Sequence, residues 1–548
     1  MKNPNLFNSV PVNKIKNTAF DLSHEVKSSF KIGQLIPFLC EEMLPGDVAK
    51  VRAEHLVRMQ ALLAPIMHRV DVYTHFFYVP NRLIWNEWED FITGGKDGTL
   101  QPVHPLIRLT PDVMGIGSLA DYLGLPTPPK DATGYIEVSA LPFRAYWEIY
   151  NNYYVDQNVG KPIEFSKGSA KRVMRLGDGT THPLLRAWEK DYFTSALPWP
   201  QRFPSPVTLP LNGDVEVYLD PTKGSATSDK SRQQMVDKYG DPVYDGTVSV
   251  LPDTTPPAST MLGVIERVSG DAKKAFFDPN GTLKADLSHA TGVNINDLRH
   301  AFSLQRWLEN TARTGSRYIE QILGHFGVRS SDSRLQRPEY LGGGKTPVVI
   351  SQVEQTSAQF DSEQKEVGSS VGTLSGNGTS YGSSYTFKRR FEEHGFLVGI
   401  VSVIPKPTYQ DGLHRKFTRF DKFDYYWPEF ANLGEQEIKE RELFLHFSEP
   451  VDSASNTRTF GYTPRYAEYR YIPSSVHGDF RESLNYWHMG RKFQGAPGLN
   501  QDFIQVDPDD EAGPSRVFAV KGTDTLLCQS YVKFMCLRKM PKYGKPGL

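Results

Sequence analysis

An apolar run in the C-terminal half constrains the fold of this chain more than any other stretch. Residues 396–404 read FLVGIVSVI, and apolar side chains occupy most of both sets of alternate positions. Because successive side chains of a strand point to opposite faces, neither face of this segment suits water. Pro405 and Pro407 follow the run, which is too short to span a bilayer. It predicts a central strand that is covered on both faces by segments distant in the sequence.

Three further segments have patterns that predict strands. Residues 70–79 (VDVYTHFFYV) are apolar on both faces, and 348–353 predicts a shorter strand. Residues 526–536 alternate between apolar and polar side chains, which predicts a C-terminal strand with one face in the core and one in water. Its predicted core face is Leu526, Cys528, Val532, Phe534 and Cys536, and its predicted wet face is Gln529, Tyr531 and Lys533.

Helical periodicity occurs in three places. The predicted helices begin at Pro80 with Asn81, at Pro142 and at Asn296, which are residue types that favour a helix start. Their predicted apolar faces are Ile84, Trp88, Phe91 and Ile92; Phe143, Tyr146, Trp147, Tyr150 and Tyr154; and Leu298, Ala301, Phe302, Gln305 and Leu308. We expect the aromatic stripe of the second helix to be core packing and the face of the third helix to dock on a sheet.

Composition favours a turn-rich β protein with long loops. Glycine and proline number 45 and 39 of the 548 residues, which is about 15% against a usual level of roughly 12%. The formal net charge is −1, from 62 basic and 63 acidic residues, so the chain as a whole is not a polycation. Any contact with nucleic acid must therefore be local, or shared with a separate basic partner.

The cysteines and the N-terminus indicate a reducing compartment. Cys40, Cys528 and Cys536 are too few for a disulfide framework, and the last two share a strand face at too great a separation to bond. The N-terminal sequence has no apolar core of signal-peptide length, and no later segment resembles a transmembrane helix. The sequence predicts free thiols, a cytosol-like compartment and no membrane insertion.

Polarity and turn content predict a core, an insertion and two terminal segments. Residues 1–30 show no clear period and predict an extended arm. From 204 to 290 Pro, Gly, Asp, Lys and Thr dominate, which predicts a surface insertion with its own small lobe. Residues 31–203 and 291–537 make up the predicted discontinuous core. Residues 538–548 predict a basic, extended tail.

The motif-like strings lack the context that their chemistry requires. Residues 344–346 (GKT) resemble the end of a phosphate-binding loop, but Glu339 stands where a glycine is needed. Residues 368–372 (GSSVG) match a nucleophile-elbow string inside a predicted Gly/Ser-rich loop over 368–384, with no helix pattern after them. The acidic run 507–511 fits a solvated loop better than a cation site. The sequence predicts no catalytic residue, metal or cofactor.

Two segments interleave cations with aromatic residues, a pattern typical of contact with single-stranded nucleic acid. Cations meet phosphates in such contacts, while rings accept unstacked bases without demanding a sequence. The predicted contact residues are Lys388, Arg389, Arg390 and Phe391 in the first segment, and Arg415, Lys416, Phe417, Arg419 and Phe420 in the second. The alternative is core aromatics with flanking surface charges, partly cancelled by Asp421 and Asp424.

Six strings, in order along the chain, resemble those of one protein family. They are YFTSALPWPQR (192–202), HFGVRSSDSRLQRPEYLGGG (325–344), EEHGFLVGIVSV (392–403), FDYYWPEFANLGEQ (423–436), FGYTPRYAEYRYIPS (460–474) and MPKYGKPGL (540–548). IGQLIPFLCEEMLPGD and FFYVPNRLIW belong to the same pattern, so the resemblance runs nearly end to end. On these strings the chain resembles the major capsid proteins of the Microviridae, small single-stranded DNA bacteriophages, and their gokushovirus branch in particular.

The resemblance implies a mainly β fold, namely an eight-stranded antiparallel jelly-roll of the viral capsid type with long loop insertions that contain a few helices. It implies pentamers that assemble into a T=1 icosahedral shell around circular single-stranded DNA. The virion would be built in the cytoplasm of a bacterial host. The insertion at 204–290 would form the protrusion at the three-fold axes and contact a host receptor that the sequence does not identify.

The resemblance also implies partners. A nearly neutral shell protein leaves most of the neutralisation of DNA to another component, and a small basic DNA-binding protein is expected. An internal scaffolding protein and a DNA pilot protein are expected as well. The two interleaved segments would then lie on the inner surface. The alternative function is a carbohydrate-binding or carbohydrate-active β-sandwich, since Trp, Tyr and Asp in long loops also suit sugar platforms.

Overall fold

The computed structural model describes residues 17–129, 131–175, 179–202, 295–314, 317–354, 374–510 and 512–543, together with six short strands between 216 and 286. The strands are β1 (Thr18–Asp21), β2 (His24–Phe30), β3 (Ile36–Met43), β4 (Val48–Met59), β5 (Val70–Pro80), β6 (Leu106–Leu109), β7 (Ile136–Ser139), β8 (Arg172–Val173), β9 (Glu216–Leu219), β10 (Met235–Val236), β11 (Ser249–Val250), β12 (Val264–Val268), β13 (Asp271–Phe277), β14 (Leu283–Asp286), β15 (Glu339–Pro347), β16 (Val349–Glu354), β17 (Leu374–Ser383), β18 (Phe387–Arg390), β19 (Gly395–Pro405), β20 (Glu435–Lys439), β21 (Thr459–Pro464) and β22 (Leu526–Arg538). The helices are α1 (Asn81–Ile84), α2 (Trp88–Thr93), α3 (Leu119–Tyr122), α4 (Leu141–Ile149), α5 (Ile295–Thr314), α6 (Tyr318–Phe326), α7 (Ala454–Thr457) and α8 (Gln501–Ile504).

Two antiparallel sheets dominate the larger of two compact units, which comprises residues 1–202 and 309–548. In the described part of the chain, the first sheet has seven strands in the order β1-β22-β4-β17-β16, with β2 also paired to β22 and β18 also paired to β4. The second sheet has the order β15-β5-β19-β3. Early strands pair with late ones, since β2 pairs with β22 and β3 with β19. The prediction that distant segments return to the central strand is confirmed.

β19 lies at the buried centre of the second sheet, and all of its residues are buried. Leu397 and Val401 belong to the core that the two sheets share. Phe396 and Val398, on the opposite face, belong to a second core that includes α4. Burying such a side chain contributes roughly 1.5–3 kcal/mol. The two-sided strand predicted over 396–404 is confirmed, and so is the one over 70–79, where β5 is almost fully buried.

The C-terminal strand β22 alternates strictly between buried and exposed residues up to Leu537. Its buried face consists of the predicted residues together with Ser530, and its exposed face includes Gln529, Tyr531 and Lys533. The three cysteines carry free thiols. The predicted amphipathic strand is therefore confirmed, and its wet face leaves one side of the seven-stranded sheet open to solvent.

The aromatic helix α4 packs in the second core and continues as one π-helical turn over Tyr150–Tyr154. Phe143, Tyr146 and Trp147 are almost completely buried. The hydroxyl of Tyr146 donates a hydrogen bond to the carbonyl oxygen of Leu35 at 2.9 Å, which satisfies its polar end inside the core. The prediction that this stripe is core packing is confirmed.

The helix predicted from Pro80 is wrong in its extent, because the chain forms two short helices, α1 and α2. Trp85 lies between them in an extended conformation. Ile84 and Trp85 are adjacent and both fully buried, which the break in the helix permits. Phe91 and Ile92, which were predicted to face the core, are exposed.

The third predicted helix is present as α5, but its predicted face is only partly buried. Leu308 is buried, whereas Phe302 is 67% exposed. Leu304 and Trp307 are also exposed. Apolar side chains thus lie on more than one side of this helix, so their spacing does not define one buried stripe.

The Gly/Ser-rich loop predicted over 368–384 is wrong for its second half, where β17 forms. Its glycines allow close packing: a Cβ on Gly376 would lie 2.6 Å from the carbonyl oxygen of Ala64, and one on Gly378 would lie 2.5 Å from the sulfur of Met59.

Residues 355–373, which include the nucleophile-elbow string, lie outside the described residues. The strand predicted at 348–353 is confirmed as β16.

The smaller unit comprises residues 203–308, and the predicted insertion falls within it. Its described strands form the antiparallel sheets β10-β13-β12-β11 and β14-β9. In the larger unit, β1 and β2 occupy 18–30 of the predicted N-terminal arm and pair with β22. Residues 1–16 and 544–548 lie outside the described residues.

Candidate nucleic-acid and assembly surfaces

The first interleaved segment forms β18, which pairs antiparallel with Val48–Val51 of β4. Lys388 and Arg390 are exposed on the solvent side of the sheet. Because strand side chains alternate, Arg389 lies on the other side, where its Nη2 donates to Glu339 Oε2 at 2.8 Å. Two of the three predicted cations of this segment are therefore open to a ligand, and one is paired within the chain.

Phe391 does not have the exposure that a base contact requires. It is 1% exposed, and its ring centroid lies 4.7 Å from that of Tyr78. The preceding aromatic, Phe387, packs against Phe76 with 5.2 Å between ring centroids. The aromatics of this segment anchor β18 to the core, so the prediction that Phe391 contacts nucleic acid is wrong in this structure.

Arg415 and Arg419 of the second segment are paired with buried carboxylates. Nη2 of Arg419 donates to Oε1 of Glu468 at 3.1 Å, and Nη1 of Arg415 lies 3.7 Å from Oε1 of Glu442. Burial raises the pKa of Glu442, and the Arg415 guanidinium opposes that shift. Burial disfavours the charge on Arg415, yet Glu442 holds its pKa above the ordinary value. The expectation that these two cations are available to phosphates is corrected, because the chain neutralises both.

The rest of the second segment is exposed. Phe417 and Phe420 are 61% and 74% exposed, and Lys416 Nζ lies 4.9 Å from the centroid of the Phe417 ring. The exposure continues along the chain through Phe423, Tyr425, Tyr426 and Trp427. We call residues 417–427 the aromatic loop. An exposed aromatic cluster of this density indicates an interaction surface.

A cavity of about 800 Å³ opens beside the aromatic loop. Phe417, Tyr409, Glu442 and Glu468 are among the residues that line it. The Tyr409 hydroxyl donates to Asp191 Oδ2 at 2.6 Å, and burial raises the Tyr409 pKa well above its ordinary value. Within the described residues, no group of three or more His, Cys, Asp or Glu side chains is placed to hold a metal ion. The Tyr409 hydroxyl and the carboxylates of Glu442 and Glu468 all interact with groups of the chain itself, which stabilises the surrounding loops.

Sequence reasoning missed the carboxylates that neutralise the predicted cations. Glu339 lies 50 residues from Arg389, and Glu468 lies 49 residues from Arg419. No local pattern marks pairs at such separations. The described hydrogen bonds, ion pairs and ring contacts do not join the two interleaved segments to each other.

Comparison with known proteins identifies the family. A model of the phage family described as "Capsid protein (F protein)" matches residues 8–548. The chain belongs to this capsid protein family. This capsid chain is 36% identical over 597 residues to capsid protein VP1 of Chlamydia phage 1, covering 99% of this chain and 98% of that protein. It is 34% identical over 557 residues to capsid protein VP1 of Bdellovibrio phage phiMH2K, covering 100% and 98%.

A third capsid protein is also similar to this chain over nearly its full length. Capsid protein VP1 of Spiroplasma virus 4 is 30% identical over 561 residues, covering 98% of this capsid chain and 96% of that protein. The predicted resemblance to the gokushovirus-like Microviridae is confirmed. The chain is thus a structural, non-enzymatic component of a phage virion. Among the described helices, none has the length and apolar character needed to cross a membrane.

Proposed function

We propose that this capsid chain self-assembles through pentamers into a T=1 icosahedral shell that encloses a circular single-stranded DNA genome. Its family membership and its end-to-end similarity to VP1 capsid proteins support a shell-forming role. The nearly neutral charge of the chain fits a shell whose genome is neutralised largely by another component. The observation that carries the proposal is the match of the capsid family over residues 8–548.

We also propose that the sandwich is an eight-stranded jelly-roll. Its successive strands are β2, β3, β4, β5, β15, the pair β17 and β18, β19 and β22. The first pairs with the eighth, the second with the seventh, the third with the sixth and the fourth with the fifth, all antiparallel. A long hairpin that folds over on itself produces this nested pairing. The two sheets that it forms support a jelly-roll of the capsid type.

Only some of the residues predicted to contact DNA are exposed, and the proposed set of contacts is limited to those. Lys388, Arg390, Lys416, Phe417 and Phe420 are exposed, and we propose them as contacts with the genome. The remaining predicted residues either pair with carboxylates or lie in the core. This division supports a shell in which only part of each interleaved segment faces the DNA.

The other proposed partners follow from the family resemblance. We propose that the insertion at 204–290 forms the protrusion at the three-fold axes and contacts the host cell. We propose a small basic DNA-binding protein, an internal scaffolding protein and a DNA pilot protein as the other components of assembly. Of the predicted arm at 1–30 and the predicted tail at 538–548, we propose that the parts outside β1, β2 and β22 lie over neighbouring copies, because β1 and β2 pair with β22 within the chain.

Expression of the chain in bacteria together with the internal scaffolding protein tests the assembly proposal. We expect pentamers in sedimentation analysis and closed isometric shells in negative-stain electron micrographs. A chain that stays monomeric under every assembly condition and binds or cleaves glycans would contradict the proposal and favour the carbohydrate-directed alternative.

A further inference from the structure

The solvent side of the seven-stranded sheet carries a cluster of positive charges around β4. On β4 itself, Lys50 is exposed and the Arg52 side chain is 42% exposed. The neighbouring strands add Lys388 and Arg390 from β18 and Lys533 from β22, all exposed on the same side. We call these five residues the sheet cations.

The strand register places like charges directly opposite each other. Lys50 pairs with Lys388 across the β4 and β18 ladder, and Arg52 pairs with Lys533 across the β4 and β22 ladder. Side chains in such positions have Cβ atoms about 4.5–5.5 Å apart, and like charges there destabilise a sheet. Two adjacent pairs of this kind favour the binding of an anion over them.

The chain itself supplies too few anions to balance this cluster. Glu54 pairs with Arg52 at 3.1 Å, and Asp21 lies close enough to Lys533 to interact with it. None of the ion pairs among the described residues involves the other three sheet cations. A local excess of positive charge therefore remains on a chain whose formal net charge is −1.

Tyrosines extend the same face. Tyr531 lies two residues before Lys533 on β22 and is 38% exposed, and Tyr381 of β17 is 71% exposed. The Tyr381 hydroxyl donates to Glu54 Oε2 at 3.1 Å, which holds its ring near the sheet cations. Rings beside cations suit single-stranded nucleic acid, because every base has a face that can stack. An acidic peptide would use only the charges.

We propose that this face of the sheet binds single-stranded DNA, with the sheet cations contacting phosphates and Tyr381 and Tyr531 stacking on bases. The inference rests on the proposed function, which supplies an enclosed single-stranded genome, and extends it to residues of β4, β17 and β22. Outward side chains two residues apart on a strand are separated by about 6.8 Å. The cluster therefore spans more than one phosphate group.

Binding of fluorescent oligo(dT) to the purified chain, followed by anisotropy over a range of salt concentrations, tests this inference. The test variant combines Lys50→Glu with Lys533→Glu. Each phosphate contact on a single strand contributes about 0.7 to the slope of log K against log salt concentration, so losing two contacts should lower the slope by about 1.4. Affinity at about 0.1 M salt should fall by at least about tenfold. The control, Lys96→Glu with Lys161→Glu, makes the same charge change at exposed positions elsewhere and should bind as the parent does.

Thermal unfolding and electron microscopy complete the test. Each substitution places a carboxylate opposite a cation, while Lys533→Glu also loses the attraction to Asp21, so the test variant should unfold close to the temperature of the parent. Equal oligo(dT) affinities of the test variant and the control would overturn the inference. A glutamate oligopeptide that binds the parent as tightly as oligo(dT) would also overturn it, by assigning the face to an acidic protein. Shells that form normally while the parent chain fails to bind oligo(dT) would overturn this inference and leave the assembly proposal intact.

Discussion

At the residue scale, the cations of this capsid chain divide into those that stabilise the fold and those that remain open to ligands. The side chain of Arg419 is 11% exposed and bonds to Glu468, whereas Lys388 is exposed on its strand. Both occur in segments with the same alternation of cations and rings. Burial makes the difference between Arg419 and Lys388, because a buried charge needs a partner inside the protein.

Replacing Glu468 by alanine should lower the free energy of unfolding by about 3 kcal/mol, because Arg419 would keep its charge in a buried site without a carboxylate. Chemical denaturation followed by circular dichroism measures the change. Glu437→Ala removes an exposed carboxylate nearby on β20 and should change stability by less than about 0.5 kcal/mol. Equal effects of the two substitutions would show that the Glu468 pair does not stabilise the fold.

At the element scale, the strands with two apolar faces can be predicted directly from their local sequence, whereas β17 cannot. β17 contains the sequence LSGNGTSYGS, whose glycines and serines suggest a loop. It forms a strand because β4 and β16 pair with it on either side, and its glycines admit neighbouring backbone and side chains at close range. Tertiary pairing overrides a weak local preference here.

Gly376→Ala should destabilise the chain by about 1–3 kcal/mol, because the new Cβ would lie 2.6 Å from the carbonyl oxygen of Ala64 and 2.8 Å from Cα of Pro65. Backbone atoms cannot move aside as the end of a flexible side chain can. Midpoints of thermal unfolding measure the effect. Gly495→Ala serves as the control, since a Cβ there meets no atom within 4 Å. An unchanged midpoint for Gly376→Ala would contradict the close packing of β17.

At the scale of the whole molecule, the nested pairing brings the first and last described strands to the same sheet. β1 and β2 lie against β22, which ends at Arg538. The Arg538 Nε donates to Asp47 Oδ2 at 3.0 Å and so ties the strand end to the turn before β4. Met540 and Tyr543, just beyond it, are exposed. In the described part of the tail, these two side chains therefore face solvent and not the core of the subunit.

Deleting residues 540–548 should therefore reduce shell yield strongly while changing the free energy of unfolding of the isolated chain by less than about 0.5 kcal/mol. Electron microscopy and sedimentation measure the first quantity, and chemical denaturation measures the second. Arg538→Ala provides a contrast, because it removes the ion pair with Asp47 and should lower stability. Normal shell yield from the truncated chain would remove the tail from the set of contacts between copies.

The sequence alone was enough to predict the two-sided strands at 70–79 and 396–404, the alternation of β22, the aromatic packing of α4 and the capsid family. Each of these follows from the residue pattern of continuous segments. The tertiary structure decided which cations meet carboxylates, where the predicted helix from Pro80 breaks, and that β17 is a strand. It also placed Lys50 opposite Lys388 and Arg52 opposite Lys533. The physical reason is that contacts between strands hundreds of residues apart depend on the register in which those strands pair. No local sequence pattern encodes that register.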